Sequence, residues 1–343
     1  MRLILLLFLT FVTCRLDCQE EAFHPLVTNY SYVDYNAGTS NWAVIEDDRG
    51  VIYVANREGV LEFDGESWTL IESPQKEVAR SFAKDDQGRI YVGFVGDLGY
   101  LHPDKTGQIH FLSLKEYIPV AHRMFDEVWR THFLNGDIYF QTREKLFRWN
   151  GSSMDVIDPQ NNISGSASIN NQLYVGIWNK GLCKLMNDEF TLVPGGEIFA
   201  NDRLHAILPH DNNSLLIGSN SKGFYISSNN AFIPFPTQID NQIKGQLYSP
   251  CLKLDDGRLV INTLENGVFI LDEYGNILTN ISERSGLQDD VVDYVYVDSR
   301  GTLWMALFNG ISTVNLESNF TFSDEELRSK FRLIIISIKH LVC

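Results

Sequence analysis

From Trp42 onward the chain alternates short apolar runs with clusters of polar turn residues, and no substantial helical stretch interrupts them before the C-terminal tail. Residues 42–46 form one run, Asp47-Asp48-Arg49-Gly50 a turn cluster, residues 51–56 a second run, 59–64 a third and 65–71 a fourth. Short runs bounded by Asp, Asn and Gly predict strands joined by tight turns, because Gly accepts positive φ and Asp bonds its own backbone. The same sentence recurs along the chain, with turns at Gly50, Gly88, Gly136, Asn171, Asn213, Gly257 and Gly301. Asn135-Gly136 is the strongest of these hairpin signals. The clearest copy runs from Asp298-Ser299-Arg300-Gly301 through Leu303-Trp304 to Asn309-Gly310-Ile311.

Seven copies of roughly 40 residues, four strands each, predict an all-β fold: a seven-bladed β-propeller of four-stranded antiparallel blades. One copy cannot bury both its faces, so neighbours must stack and the ring must close. An open ring would leave two unpaired edges. The extended segment 25–32 is therefore expected to supply the outer strand of the last blade, with 319–322 as the competing candidate. Residues 112–125, inserted between the second and third copies, are expected as a long loop or a short helical turn.

The ends break the pattern. Arg2 precedes an apolar run at 3–13, too short to span a bilayer, and Arg15, Asp17 and Gln19 follow. The expected organisation is a signal peptide at 1–18, the propeller at 23–322 and a C-terminal tail at 323–343. Lipidation of Cys14 or Cys18 and an uncleaved anchor are the alternatives at the N-terminus. In the tail, Asp324 to Lys330 reads as helical behind a cap at Ser323. The apolar residues 333–338 are too few for a spanning helix.

Charge changes the picture in one respect. The 343 residues carry a formal net charge of −16. A duplex-binding surface needs clustered Lys and Arg to replace counterions, so nucleic-acid binding by this segment is not expected. Past the leader the cysteines are Cys183, Cys251 and Cys343. Cys183 and Cys251 sit in different copies with another between them, and they read as buried free thiols rather than a disulfide.

No Gly-x-Ser-x-Gly, His-Glu-x-x-His or phosphate-loop motif occurs. His205 and His210 lie five apart, which puts them on opposite faces of a strand and disfavours a metal pair. The acidic pairs Asp47-Asp48, Asp85-Asp86 and Asp255-Asp256 fall at the repeated turns, where backbone bonding explains them better than acid–base work. Asp298-x-x-Gly301-x-x-Trp304 approaches the box of sialidase-type propellers, but Tyr296 stands where that box has Ser or Thr, which weakens a glycosidase reading. No catalytic residue, metal or cofactor is assigned. The expected ligand site is the mouth of the central channel, at the strand entrances: Trp42, Arg80, Trp129, Arg130, Arg203, His205, Tyr248 and Asp293. Aromatic faces there suit sugar rings, and Arg and Asp suit hydroxyls. The competing reading is that Trp and Tyr simply pack between blades.

Asn41-Trp42-Ala43, Asp47-x-x-Gly50-x-Ile52-Tyr53-x-Ala55-Asn56 and Gly59-Val60-Leu61-x-Phe63-Asp64-Gly65-x-x-Trp68 resemble the first blade of the two-component regulator propeller family. Arg89-Ile90-Tyr91-Val92-Gly93 with Gly99-Tyr100-Leu101 is similar to its second. Gly286-Leu287, Val291 and the Asp298–Ile311 stretch resemble its most recognisable repeat. The resemblance spans about residues 30–317. It implies an exported, periplasmic sensor whose propellers precede a triple-tyrosine domain, a membrane helix and a kinase or DNA-binding output, and it implies sensing of oligosaccharides. This chain stops soon after the seventh copy, so kinase and DNA-binding activities are not assigned to it. A fragment, an interrupted gene and a free-standing propeller are all open. The expected function is a non-enzymatic ligand-sensing propeller, with a homodimer or an adjacent triple-tyrosine domain as partner. A secreted glycosidase or lyase and a protein-interaction scaffold are the alternatives.

Overall fold

The computed structural model describes residues 24–211, 213–247, 250–316 and 321–322. The expected signal peptide and tail lie outside them. The described residues from 25 to 316 form one compact unit. It is a ring of seven four-stranded antiparallel sheets, a seven-bladed β-propeller. Blade 1 pairs Asn41–Glu46, Ile52–Asn56, Gly59–Phe63 and Trp68–Ile71 in that order. Each of the seven turns read from the sequence joins the first and second strands of a blade.

Burial explains why the strands differ in composition. Seven apolar clusters each join two neighbouring blades, so the core is a closed belt rather than one centre. Second strands lie inside that belt, and Ile52–Asn56, Ile90–Phe94 and Leu215–Ser219 are buried at every position. They read as continuous apolar runs because both faces are covered. Fourth strands such as Glu189–Leu192 and Ala231–Pro234 are mostly exposed, and the first of these carries Glu189 and Thr191. First strands touch the first strands of neighbouring blades and line the axis.

The turns repeat one device. Asp47 Oδ1 accepts from the backbone N–H of Arg49 and Val51 at 2.8 and 3.0 Å. Asp85 accepts from Gln87 and Arg89 at 3.0 and 2.8 Å. Asp298 accepts from Arg300 and Thr302 at 2.9 and 2.8 Å. The glycine that ends each of these turns has φ between +76° and +84°, a region where a side chain is strained. The other oxygen of Asp298 accepts from Trp304 Nε1 at 2.9 Å. Asp298, Gly301 and Trp304 therefore build and brace the turn.

The ring closes as expected. Val27–Tyr30 pairs antiparallel with Gly310–Asn315 as the fourth strand of blade 7. The competing segment, at Thr321–Phe322, pairs instead with His24–Pro25. The closing strand is locked by rings: Tyr30 lies 6.2 Å from Trp304 in a near-parallel stack, 5.4 Å from Trp68 and 5.6 Å from Phe63. Polar ties cross the same seam. Asn41 Nδ2 donates to Gly310 O at 2.8 Å, and Ser299 donates through N and Oγ to the Glu46 carboxylate at 2.7 and 2.8 Å. The insertion after blade 2 makes two single 3-10 turns, Lys115–Tyr117 and Val120–His122. Cys183 and Cys251 are buried free thiols; Cys343 lies outside the described residues.

Removing residues 24–31 leaves blade 7 with an open edge and strips Tyr30 from three aromatic neighbours. We expect the melting midpoint to fall by about 10 °C, equivalent to several kcal/mol, with a shift towards larger species in gel filtration. A synthetic peptide spanning residues 25–32 should restore part of the loss. An unchanged midpoint would show that the ring closes without this strand.

Candidate functional site

A single mechanism places the site residues. In five blades the first strand carries a one-residue register shift near its start. Asn41 and Ala43 pair with the consecutive residues Asn56 and Ala55, leaving Trp42 as the extra residue. The same irregularity leaves out Arg80, Ser164, His205 and Asp293 in blades 2, 4, 5 and 7. A bulge lets a side chain leave the regular alternation of the strand. All five bulged residues line one cavity of about 360 Å³ at the channel mouth.

Seven of the eight residues expected at the mouth line that cavity: Trp42, Arg80, Trp129, Arg130, Arg203, His205 and Asp293. Tyr248 lies outside the described residues. Sequence reasoning missed Gln141, Arg143, Asn162 and Trp178, which also line it. Arg143 and Trp178 follow the second strands Asp137–Gln141 and Gln172–Ile177. A signal was present: the turn after each second strand reaches the same end of the ring as the entrance of the first.

Arg80 is the centre of one group of contacts at the mouth. Its guanidinium carbon lies 4.5 Å from the centre of the Trp42 ring and 4.6 Å from that of Trp129. Its Nη2 stands 2.8 Å from Glu127 Oε2, a contact of charge without hydrogen-bond alignment. The three side chains come from blades 1, 2 and the approach to blade 3, so packing between blades does account for one face of each of these tryptophans. Both rings and Trp178 are nonetheless partly exposed to the cavity. Beneath the mouth a second cavity of about 420 Å³ continues down the channel, and Arg80 and Arg130 line both. The two are linked by a relay. Gln141 at the mouth accepts from Ser166 Oγ, which lies 2.7 Å from His132 Nε2 in the lower cavity.

Charge is distributed unevenly in the mouth. Four arginines, 80, 130, 143 and 203, face it, and among the described residues Asp293 is the only carboxylate lining it. Asp202, just outside, is fully engaged: it accepts from Ser219, Ser221 and the Arg203 backbone, and these bonds overcome burial and hold its pKa low. They also fix the loop that carries Arg203. Asp293 is the opposite case. It is only 5% exposed, and its Oδ2 has no hydrogen-bond partner. Burial raises its pKa to about 7, with Asp289 adding to the rise and Arg80 opposing it. His205 is pushed down to about 3, first by burial and then by Arg203 and Arg130, so it is neutral at physiological pH.

No family model matches the chain, and no curated protein matches it. Among solved structures it is similar to the extracellular domain assigned to a hybrid two-component system of B. thetaiotaomicron. That match has 16% identity and a TM-score of 0.64, over 87% of this chain and 42% of that one. It is also similar to the WD40 propeller domain of Doa1, with 12% identity and a TM-score of 0.66 over 87% and 98% of the two chains. Streptogramin B lyase matches with 11% identity and a TM-score of 0.64, over 85% and 98%. The chain thus spans about two fifths of the length of the sensor domain it resembles. At these identities the likeness is one of fold, which a sensor domain, a WD40 domain and a lyase share.

The pKa of Asp293 has a consequence for stability. Its ordinary value is 3.8, so between about pH 4 and pH 7 the folded protein holds a proton that the unfolded chain has released. Stability from this group is complete at pH 4 and is lost as the pH climbs through about 7. Asp293→Asn removes the dependence. We expect the variant to melt a few degrees above the parent at pH 8 and within a degree of it at pH 4. A parallel shift at both pH values would mean that Asp293 is ionised throughout.

Proposed function

We propose that this chain is an extracytoplasmic ligand-sensing propeller of a bacterial signal-transduction regulator, and that the mouth described above binds a short oligosaccharide. The observation that carries the reading is the combination at one cavity of three partly exposed tryptophans with a buried aspartate oxygen that has no donor. Flat apolar rings stack on the faces of sugars, and an unsatisfied buried acceptor is completed by a hydroxyl. The likeness in fold to extracellular sensor domains supports the signalling context and an exported location. Because bulged residues from five blades and approach or turn residues from others meet at the mouth, an occupant would bias the packing between blades. A neighbouring triple-tyrosine domain or a second copy of the chain would read that bias as a shift in population.

Hydrolysis fits the cavity less well. Glycosidases pair two carboxylates across the scissile bond, and Asp293 is the only one lining the mouth among the described residues. A lyase is the second reading, favoured by His205 standing unprotonated beside arginines. A pKa of about 3 makes it a weak base for that task.

Thermal shift and product release should be followed together on a panel of short neutral and acidic oligosaccharides. At a hundredfold excess over Kd, we expect a stabilisation of about 2.7 kcal/mol, read as a rise of roughly 5 °C, with every oligosaccharide recovered intact. Trp178→Ala should weaken that shift about tenfold in ligand concentration without unfolding the ring. Appearance of shortened or unsaturated products would replace the sensor with the enzyme, and no shift with any sugar would remove the oligosaccharide.

A further inference from the structure

We infer that the mouth selects an acidic saccharide, whose anionic group is taken by Arg143 and Arg203 while a ring hydroxyl donates to Asp293. The inference rests on the oligosaccharide reading above and narrows it to a chemical class.

The chain carries 44 acidic residues against 28 basic ones, yet the lining of the mouth inverts that balance, with four arginines to one carboxylate. An acidic protein that concentrates positive charge in one concave site focuses the field there and attracts anions. The four arginines are not equivalent. Arg80 is held between Trp42 and Trp129 with Glu127 beside it, which makes it part of the wall. Arg130 donates through Nη1 to the carbonyl oxygen of Trp129 at 2.9 Å. Arg143 and Arg203 are exposed, and neither guanidinium has an ion-pair or hydrogen-bonded acceptor among the described residues. A guanidinium presents a planar fork of donors that matches a carboxylate or a sulfate ester in two-point contact.

The rest of the site argues for a sugar rather than a bare anion. Asp293 Oδ2 is buried, accepts nothing and faces a cavity lined by indole rings. A free anion would be repelled by an ionised Asp293 and could not use the tryptophans. A hydroxylated ring bearing an acid group uses all three features at once. Burial is the main cause of the low pKa of His205, and Arg203 and Arg130 lower it further.

The test compares a uronate trisaccharide, trigalacturonic acid, with its methyl ester, which keeps every ring and removes the charge. A sulfated disaccharide and the neutral cellotriose complete the set, and titration calorimetry reads binding to the full chain. The expected result is binding of the uronate or the sulfated sugar at least tenfold tighter than the neutral sugars, weakening as salt is raised. Arg143→Glu and Arg203→Glu should each remove most of that preference while leaving the melting midpoint within a few degrees of the parent. If either variant unfolds, Arg143→Gln and Arg203→Gln take its place. Preference for the uronate shows a carboxylate-bearing ligand, and preference for the sulfated sugar shows a sulfate ester. Equal binding of ester and acid overturns the acidic class and leaves the oligosaccharide reading intact. No binding by any of the four overturns both. An acid preference that survives both substitutions overturns the assignment to these arginines.

Discussion

Everything in this molecule depends on one strand pairing. Val27–Tyr30 crosses from the start of the chain to lie beside Gly310–Asn315. Without it, blade 7 would have three strands and an open edge, and the apolar cluster that joins blades 7 and 1 would lose the Tyr30 ring packed against it. A propeller blade is marginal alone, because each of its faces needs a neighbour. Closure therefore acts on all seven blades. The seam is where the chain invests in specific chemistry: the Tyr30, Trp304, Trp68 and Phe63 rings, the Asn41 contact to Gly310 and the Glu46 contacts to Ser299. Other junctions carry contacts of their own: between blades 2 and 3, Tyr91 packs against Phe140 and Ser81 bonds Thr131.

The site is a by-product of the same architecture with one modification. A regular first strand would alternate its side chains between the two faces of the blade. The recurring bulge lets one residue per blade break that alternation, so Trp42, Arg80, Ser164, His205 and Asp293 meet although they are spread over most of the chain. Function can then vary by substitution at the bulge without disturbing the belt beneath. The lower cavity shows the contrast. Its walls include small residues such as Ala43, Ala83, Ala167 and Ser168, which come from the regular part of the strands.

The fold was legible because its signals are local. An Asp-x-x-Gly turn declares itself within four residues, and an apolar second strand such as Ile52–Asn56 within five. Ring closure was legible by exclusion, since an unpaired edge had to be covered by something extended. The mouth was legible in outline, because strand entrances can be located once the strands are known, and seven of the eight residues named there do converge. What could not be read is register and angle. A bulge exists only between two strands, so the sequence of either one is silent about it. Arg143 and Trp178 were missed because the turns after second strands were not counted as part of the mouth. The stacking of Arg80 between Trp42 and Trp129 joins three segments far apart in sequence, and no short-range pattern announces it.

The closing pair has a mechanical side. It is antiparallel, with Val27 opposite Val314 and Tyr30 opposite Ile311. The chain therefore enters Val27–Tyr30 and leaves Gly310–Asn315 at the same end of the pair. Tension applied between those two points falls on the Val27 end first and passes along the ladder one step at a time, as in a zipper. Load drawn along opposite strand directions would instead be shared by all the bonds at once. The aromatic cluster around Tyr30 sits at the far end of the zipper, where it is the last part of the closure to feel the pull.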